Sequence, residues 1–138
     1  MNARHSTLNA QGSSASRAYD LEERLLEYAV RISRVAGSMK RSAAGLHIAD
    51  QLLRSGTSPC GNHGEAEGAE SRDDFIHKLR VCFKELRESR RWLKLIQRAE
   101  LIDKPELRAG LIKESDELVR IFARSIKTAT KHQKGGQT

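Results

Sequence analysis

Aromatic side chains are scarce in this sequence, at only 4% of residues. A core built without them has to come from Leu, Ile, Val and Ala, and few rings remain on which unpaired bases could stack. Proline is nearly missing, with 2 in 138 residues, so the chain contains few points where a helix has to stop. The 2 cysteines, Cys60 and Cys82, share no metal-ligand or redox spacing, and no secretory signal precedes them. Two reduced thiols in a reducing compartment are expected. No apolar run approaches bilayer-spanning length, and the period-two alternation of strands is absent. These absences argue against a stapled secreted domain, a zinc ribbon, a membrane span and a sheet. They point to a soluble, cytoplasmic protein with no membrane partner.

Hydrophobic residues make up 38% of the chain and charged residues 31%, the balance of helices that each bury one stripe. The length suits a single domain. Residues 1–18 are polar and read as a disordered leader, 19–131 as the folded domain and 132–138 as a flexible tail.

Four helices follow from period and punctuation. Asp20 caps the first, with Glu23 closing a capping box, and Leu21, Leu25, Ala29, Ile32, Ala36 and Met39 form its stripe. Ser42 caps the second, with Leu46, Ala49, Leu52 and Leu53 inward, and Gly56-Thr57-Ser58-Pro59 is expected to break or kink it. Ser71-Arg72-Asp73-Asp74 opens the third, whose stripe is Phe75, Leu79, Cys82/Phe83, Leu86, Leu93 and Ile96. Asp103-Lys104-Pro105-Glu106 is the strongest start signal and opens the fourth, with Leu107, Leu111, Leu118, Phe122, Ser125 and Ala129 inward. Short connections favour antiparallel neighbours. The fold class is all-α, an up-down antiparallel four-helix bundle with its second helix kinked near Pro59.

The net charge of +7 is unevenly placed. Residues 1–71 carry equal numbers of acids and bases, so the whole surplus lies in the second half. There Arg80, Lys84, Arg87, Arg91, Lys94 and Arg98 recur at alternating steps of four and three, a single line on a helix. Arg120, Arg124, Lys127, Lys131 and Lys134 repeat the spacing in the fourth helix. Two such ladders suit the phosphates of RNA or DNA. The alternative is a solvated face, since Glu85, Glu88, Glu114 and Glu117 stand three or four positions from several of these bases and would partly cancel them. On sequence alone the solvated face holds a small lead.

Val81, Trp92 and Leu95 project off the core stripe of the third helix, with Glu85 and Glu88 between them. Apolar groups placed there suggest an interface with another copy or a protein partner, against the alternative that Trp92 covers a bundle edge. Cys60, His63 and Glu65 supply too few ligands at the wrong spacing for zinc, and His77 and Cys82 fall on different helix faces, so no metal is expected. No Cys-His pair has a third orienting group, and the glycines match no phosphate loop, so neither catalytic residues nor a cofactor is expected. Arg54, Ser55, Thr57, Ser58, Asn62 and Glu65 read best as groups that satisfy backbone around the proline, with Arg54 and Glu65 able to pair across it.

The run Gln51-Leu-Leu-Arg-Ser-Gly-Thr-Ser-Pro-Cys-Gly-Asn-His-Gly-Glu65, with Ser71-Arg-Asp-Asp-Phe-Ile-His-Lys-Leu79, Arg91-Trp-Leu93 and Glu117 to Ala129, resembles a bacterial four-helix bundle family. That family was first met as products of intervening sequences within large-subunit ribosomal RNA genes. The resemblance covers about Leu21 to Ala129. It implies a left-handed bundle, ring-shaped homo-pentamers and no enzymatic activity. A more distant similarity, to the accessory protein of diversity-generating retroelements, implies a basic bundle that assists a reverse transcriptase. The reading from sequence is a non-enzymatic, homo-oligomeric adaptor or scaffold. The alternative is a nucleic-acid-binding accessory for a reverse transcriptase or ribosomal RNA.

Overall fold

The computed structural model describes residues 14–136, and side chains within 20–133. Four helices make up its body: α1 (Ser14–Gly37), α2 (Ala43–Glu67), α3 (Arg72–Ala99) and α4 (Leu111–Gly136), with one 3-10 turn at Pro105–Arg108. Residues 1–13 of the expected leader lie outside the described residues.

Successive helices run antiparallel. Along α2 and α3, Glu65 pairs with Lys78 while Arg54 pairs with Glu85 and Glu88, so one rises as the other descends. Along α3 and α4, Asp73 meets Gln133 and Arg90 meets Asp116. Arg24 of α1 reaches Glu114 and Arg31 reaches the Ala109 carbonyl, which brings α4 back beside α1 and closes the bundle. The all-α four-helix bundle is therefore the architecture. An isolated bridge, Met39 with Ile102, ties the α1–α2 corner to the loop after α3, helped by Lys40 N donating to Leu101 O at 2.8 Å.

Each helix buries a 3.6-period stripe. From α1 come Leu25, Tyr28, Ile32 and Val35; from α3, Ile76, Leu79, Cys82, Leu86, Leu93 and Ile96; from α4, Leu111, Leu118, Phe122 and Ala129. Met39, expected in the first stripe, is buried but lies beyond the end of α1, in the bridge. Each fully buried Leu or Ile contributes about 1.5–3 kcal/mol. The caps at Ser42 and Ser71 form as expected, their hydroxyls accepting from Gly45 N and Asp74 N at 3.0 Å each.

Several expectations change. Helix α1 begins at Ser14 rather than at Asp20, because no breaker separates the two positions. Its stripe includes Tyr28 and Val35 in place of Ala29 and Ala36, which are half-buried. Helix α2 is not broken at Gly56–Pro59: it is one helix of 25 residues with Pro59 inside. Proline removes the one donor that Ser55 O would receive, while side chains add bonds to carbonyls of the neighbouring turns, Ser55 Oγ to Gln51 O, Thr57 Oγ1 to Leu53 O and Asn62 Nδ2 to Ser58 O.

The inward face of α2 also differs. Leu46 and Leu53 are 55% and 41% exposed, whereas Gly45, Ile48, Leu52, Ser55, Gly56, Pro59, His63 and Ala66 are buried. Small residues let the helices approach closely: a Cβ on Gly56 would lie 2.5 Å from Ile32 Cγ2. Phe75 and Phe83 flank the α3 stripe half-buried, and Ile76 takes the inner place. The signal at Asp103–Glu106 opens only the 3-10 turn; Gly110, at φ +78°, turns the chain before α4 starts. In α4 the buried polar position is Ser115, while Ser125 is half-buried. The helix then continues to Gly136, past the expected end at 131.

Candidate nucleic-acid interface

Because Leu79, Leu86 and Leu93 point inward from α3, side chains one position after each of them, and the residues three or four from those, face out. Arg80, Lys84, Arg87, Arg91, Lys94 and Arg98 are all exposed, in a ladder about 27 Å long. The same logic turns Arg120, Arg124, Lys127 and Lys131 outward from α4, and all four are exposed. The side chain of Lys134 lies outside the described residues.

The ladders share one side of the bundle. Arg90 Nη1 bonds Asp116 Oδ1 at 2.8 Å across the α3–α4 seam. Arg87 and Lys94 are helical neighbours of Arg90, and Arg120 is the neighbour of Asp116, so cations from both helices flank that seam.

The glutamates expected to cancel the ladders are engaged elsewhere. Arg54, on α2, donates to Glu85 Oε2 at 2.7 Å and also bonds Glu88. Trp92 Nε1 adds a bond to Glu88 Oε2 at 3.0 Å. Arg24, on α1, holds Glu114 with two bonds, at 2.7 and 3.1 Å, and reaches Glu117 at 3.4 Å. The hydrogen bonding to Glu114 raises the already high pKa of Arg24, so the fork stays charged at any working pH. Among the described residues, none of the ten ladder cations has a carboxylate within 4 Å. Each of the two arginines offsets one of the two negative charges it holds, and Glu88 still shares a surface hollow with Arg91, Lys94 and Arg98, as Glu117 does with Arg120 and Arg124. The cancellation expected from spacing is reduced rather than removed.

Arg54 therefore does not pair with Glu65, which instead meets Lys78 at 3.7 Å. A continuous α2 keeps residues eleven apart from folding back on each other. Sequence spacing missed Arg24 and Arg54 as organisers of the surface, because it reports neighbours on one helix and neither arginine acts on its own. Of the few rings, one lies beside the α3 ladder: the Arg87 guanidinium is 5.5 Å over the Phe83 ring.

Of the expected interface residues, Val81, Glu85, Glu88 and Trp92 are half-buried and Leu95 is exposed. Glu85, Glu88 and Trp92 are drawn together along the α2–α3 seam by Arg54. The other chemistry-bearing groups are dispersed. Cys82 is buried, its thiol directed to Pro59 O at 3.6 Å and pushed by desolvation up to about 12, so it stays protonated near neutral pH. His77 is exposed and His63 buried. Among the described residues, no three His, Cys, Asp or Glu gather closely enough to hold a metal ion. Nor is any helix among them long and apolar enough to cross a membrane.

Comparison with known proteins bears on the whole bundle. No curated protein matches the chain. Among solved structures, a protein of unknown function from the S23 ribosomal protein family of Bacteroides thetaiotaomicron superposes with a TM-score of 0.70. It is 34% identical, and the match covers 80% of this chain and 97% of that one. The profile of the 23S rRNA-intervening sequence proteins matches residues 18–124, from α1 into α4, and the chain belongs to that family.

Proposed function

We propose that this chain is a non-enzymatic binding protein whose α3–α4 face holds the phosphate backbone of a nucleic acid. The observation that carries the reading is the pairing of Glu85, Glu88, Glu114 and Glu117 with Arg54 and Arg24, which leaves the ladder cations without a direct ion pair among the described residues. Ten exposed cations on one side would bind by counterion release, sequence-blind and sensitive to salt. Duplex and single-stranded 20-mers of RNA and DNA, titrated by fluorescence anisotropy at two salt concentrations, test this. Affinity should fall steeply with salt and collapse when Arg87, Arg91 and Arg124 are changed together to Glu. Binding unchanged in that triple variant would remove the reading.

A second reading, assembly of copies of this chain into the pentamer that the resemblance implies, draws on the exposed apolar side chains. Leu26 and Val30 on α1 and Leu46 and Leu53 on α2 are exposed, as is Leu95 on α3. Light scattering should show a lower molar mass for Leu46→Glu/Leu53→Glu if α1–α2 is the contact, and for Trp92→Ala if it is the α2–α3 seam.

A further inference from the structure

At the end of the bundle where α2 finishes and α3 begins, side chains of all four helices line a half-open cleft of about 510 Å³. Its walls are apolar, with Leu21 from α1, Ala66 from α2, Phe75 and Leu79 from α3 and Ile121 from α4. A space of that size falls within the range that accepts small organic ligands.

His63 lines this cleft at 6% exposure. Its imidazole makes no hydrogen bond to any described residue: the Glu67 carboxylate stands 3.9 Å from Nδ1, and the Phe122 ring meets it edge-on at 6.1 Å. Polar groups so deeply buried are ordinarily bonded. This one opens onto the cleft instead.

The charge around the cleft has one dominant sign. Asp20 and Glu67 contribute carboxylates with no Lys or Arg within 4 Å among the described residues. Arg24, the cation in the lining, is already committed to Glu114 and Glu117. Arg72, 5.9 Å over the Phe75 ring, lines the adjoining hollow with Glu67 and Glu70 rather than the cleft itself.

We propose that this cleft binds a small organic ammonium ion with an apolar body. The body packs between Phe75, Leu79 and Ile121, where burial of carbon drives binding. The ammonium N–H groups donate to the Asp20 and Glu67 carboxylates and to a His63 ring nitrogen, none of which is hydrogen-bonded to a Lys or Arg among the described residues.

The protein's net charge of +7 would by itself attract anions, so a preference for the cation has to arise locally. Calorimetric titration of the full chain at pH 8 with 2-phenylethylammonium, and separately with phenylacetate, reads that preference. The ammonium should saturate one site below about 10 mM and bind at least about tenfold more tightly than phenylacetate. Asp20→Asn/Glu67→Gln, changed at rim groups outside the core, should abolish the difference. Amide resonances of His63, Leu79 and Ile121 should move with the ammonium. No saturation, equal or tighter binding of phenylacetate, or resonance shifts confined to another surface would each overturn the proposal.

Discussion

The Tyr28 hydroxyl on α1 lies 2.7 Å from Ser115 Oγ on α4, both fully buried in the core. It is also 2.7 Å from Ser89 Oγ on α3. Each serine has a second partner in its own helix, Leu111 O at 2.8 Å for Ser115 and Leu86 O at 3.0 Å for Ser89. Three hydroxyl protons therefore serve four oxygen–oxygen contacts, and one contact always lacks its proton.

Removing the tyrosine hydroxyl relieves that shortage and leaves both serines bonded to their own carbonyls. Tyr28→Phe is expected to cost no more than about 1 kcal/mol in urea unfolding. Tyr28→Ala should cost about 3–5 kcal/mol, because it opens a cavity where three helices meet. A loss above about 2 kcal/mol for Tyr28→Phe would mean that the hydroxyl is a net stabiliser.

Burial raises the pKa of both Cys82, from 9.0 to about 12, and Tyr28. Both groups are neutral when protonated, and the folded state holds their protons more tightly than the unfolded chain does. The associated stability is complete below pH 9 and drains away as pH climbs from about 9 toward 12. The urea midpoint should fall across that window. At pH 8 a thiol reagent should label half-buried Cys60 in the native protein and reach Cys82 only on unfolding.

At Gly56 an added Cβ would meet Ile32 Cγ2 at 2.5 Å and Cγ1 at 2.8 Å. Gly56→Ala gains about 1 kcal/mol of helix propensity but forces α1 and α2 apart at a typical cost of about 1–3 kcal/mol. A net loss of about 1 kcal/mol is expected, smaller when Ile32→Ala makes room. Gly61 sits on the same helix with nothing within 4 Å of its Cβ position. Gly61→Ala should stabilise by about 0.5–1 kcal/mol in the same assay.

Surface charge allows a matched comparison. Arg87→Glu/Arg91→Glu and Arg34→Glu/Arg41→Glu make the same change in net charge, and all four positions are exposed. Only the first pair lies on a ladder. The ladder pair should lower the slope of log affinity against log salt by about 2, while the other pair has a much smaller effect. Equal losses would mean that net charge rather than the α3–α4 face governs binding.

The helical class, both serine caps, the α3 stripe through Leu79, Leu86 and Leu93, and the outward ladders were readable from order alone. Those features depend on neighbours within one helix, and the 3.6-residue period reports such neighbours directly. The inward face of α2 was not readable. Small residues such as Gly45, Ser55 and Gly56 carry no hydrophobic signal, and only the tertiary approach of Ile32 to Gly56 and of the Lys40 carbonyl to Gly45 shows why those two glycines are buried. The end cleft was hidden for the same reason, since its wall comes from helices far apart in the chain.

Charge divides in the same way. The composition of α3 and α4 determined that cations would line up on their outer faces. Whether those cations form direct ion pairs was decided by tertiary structure, which sets Arg54 of α2 against Glu85 and Glu88, and Arg24 of α1 against Glu114 and Glu117. Spacing along a helix ranks every carboxylate within one turn as a partner. Packing brings a competing arginine from another helix, with a fork already in place, and that arginine takes the carboxylate.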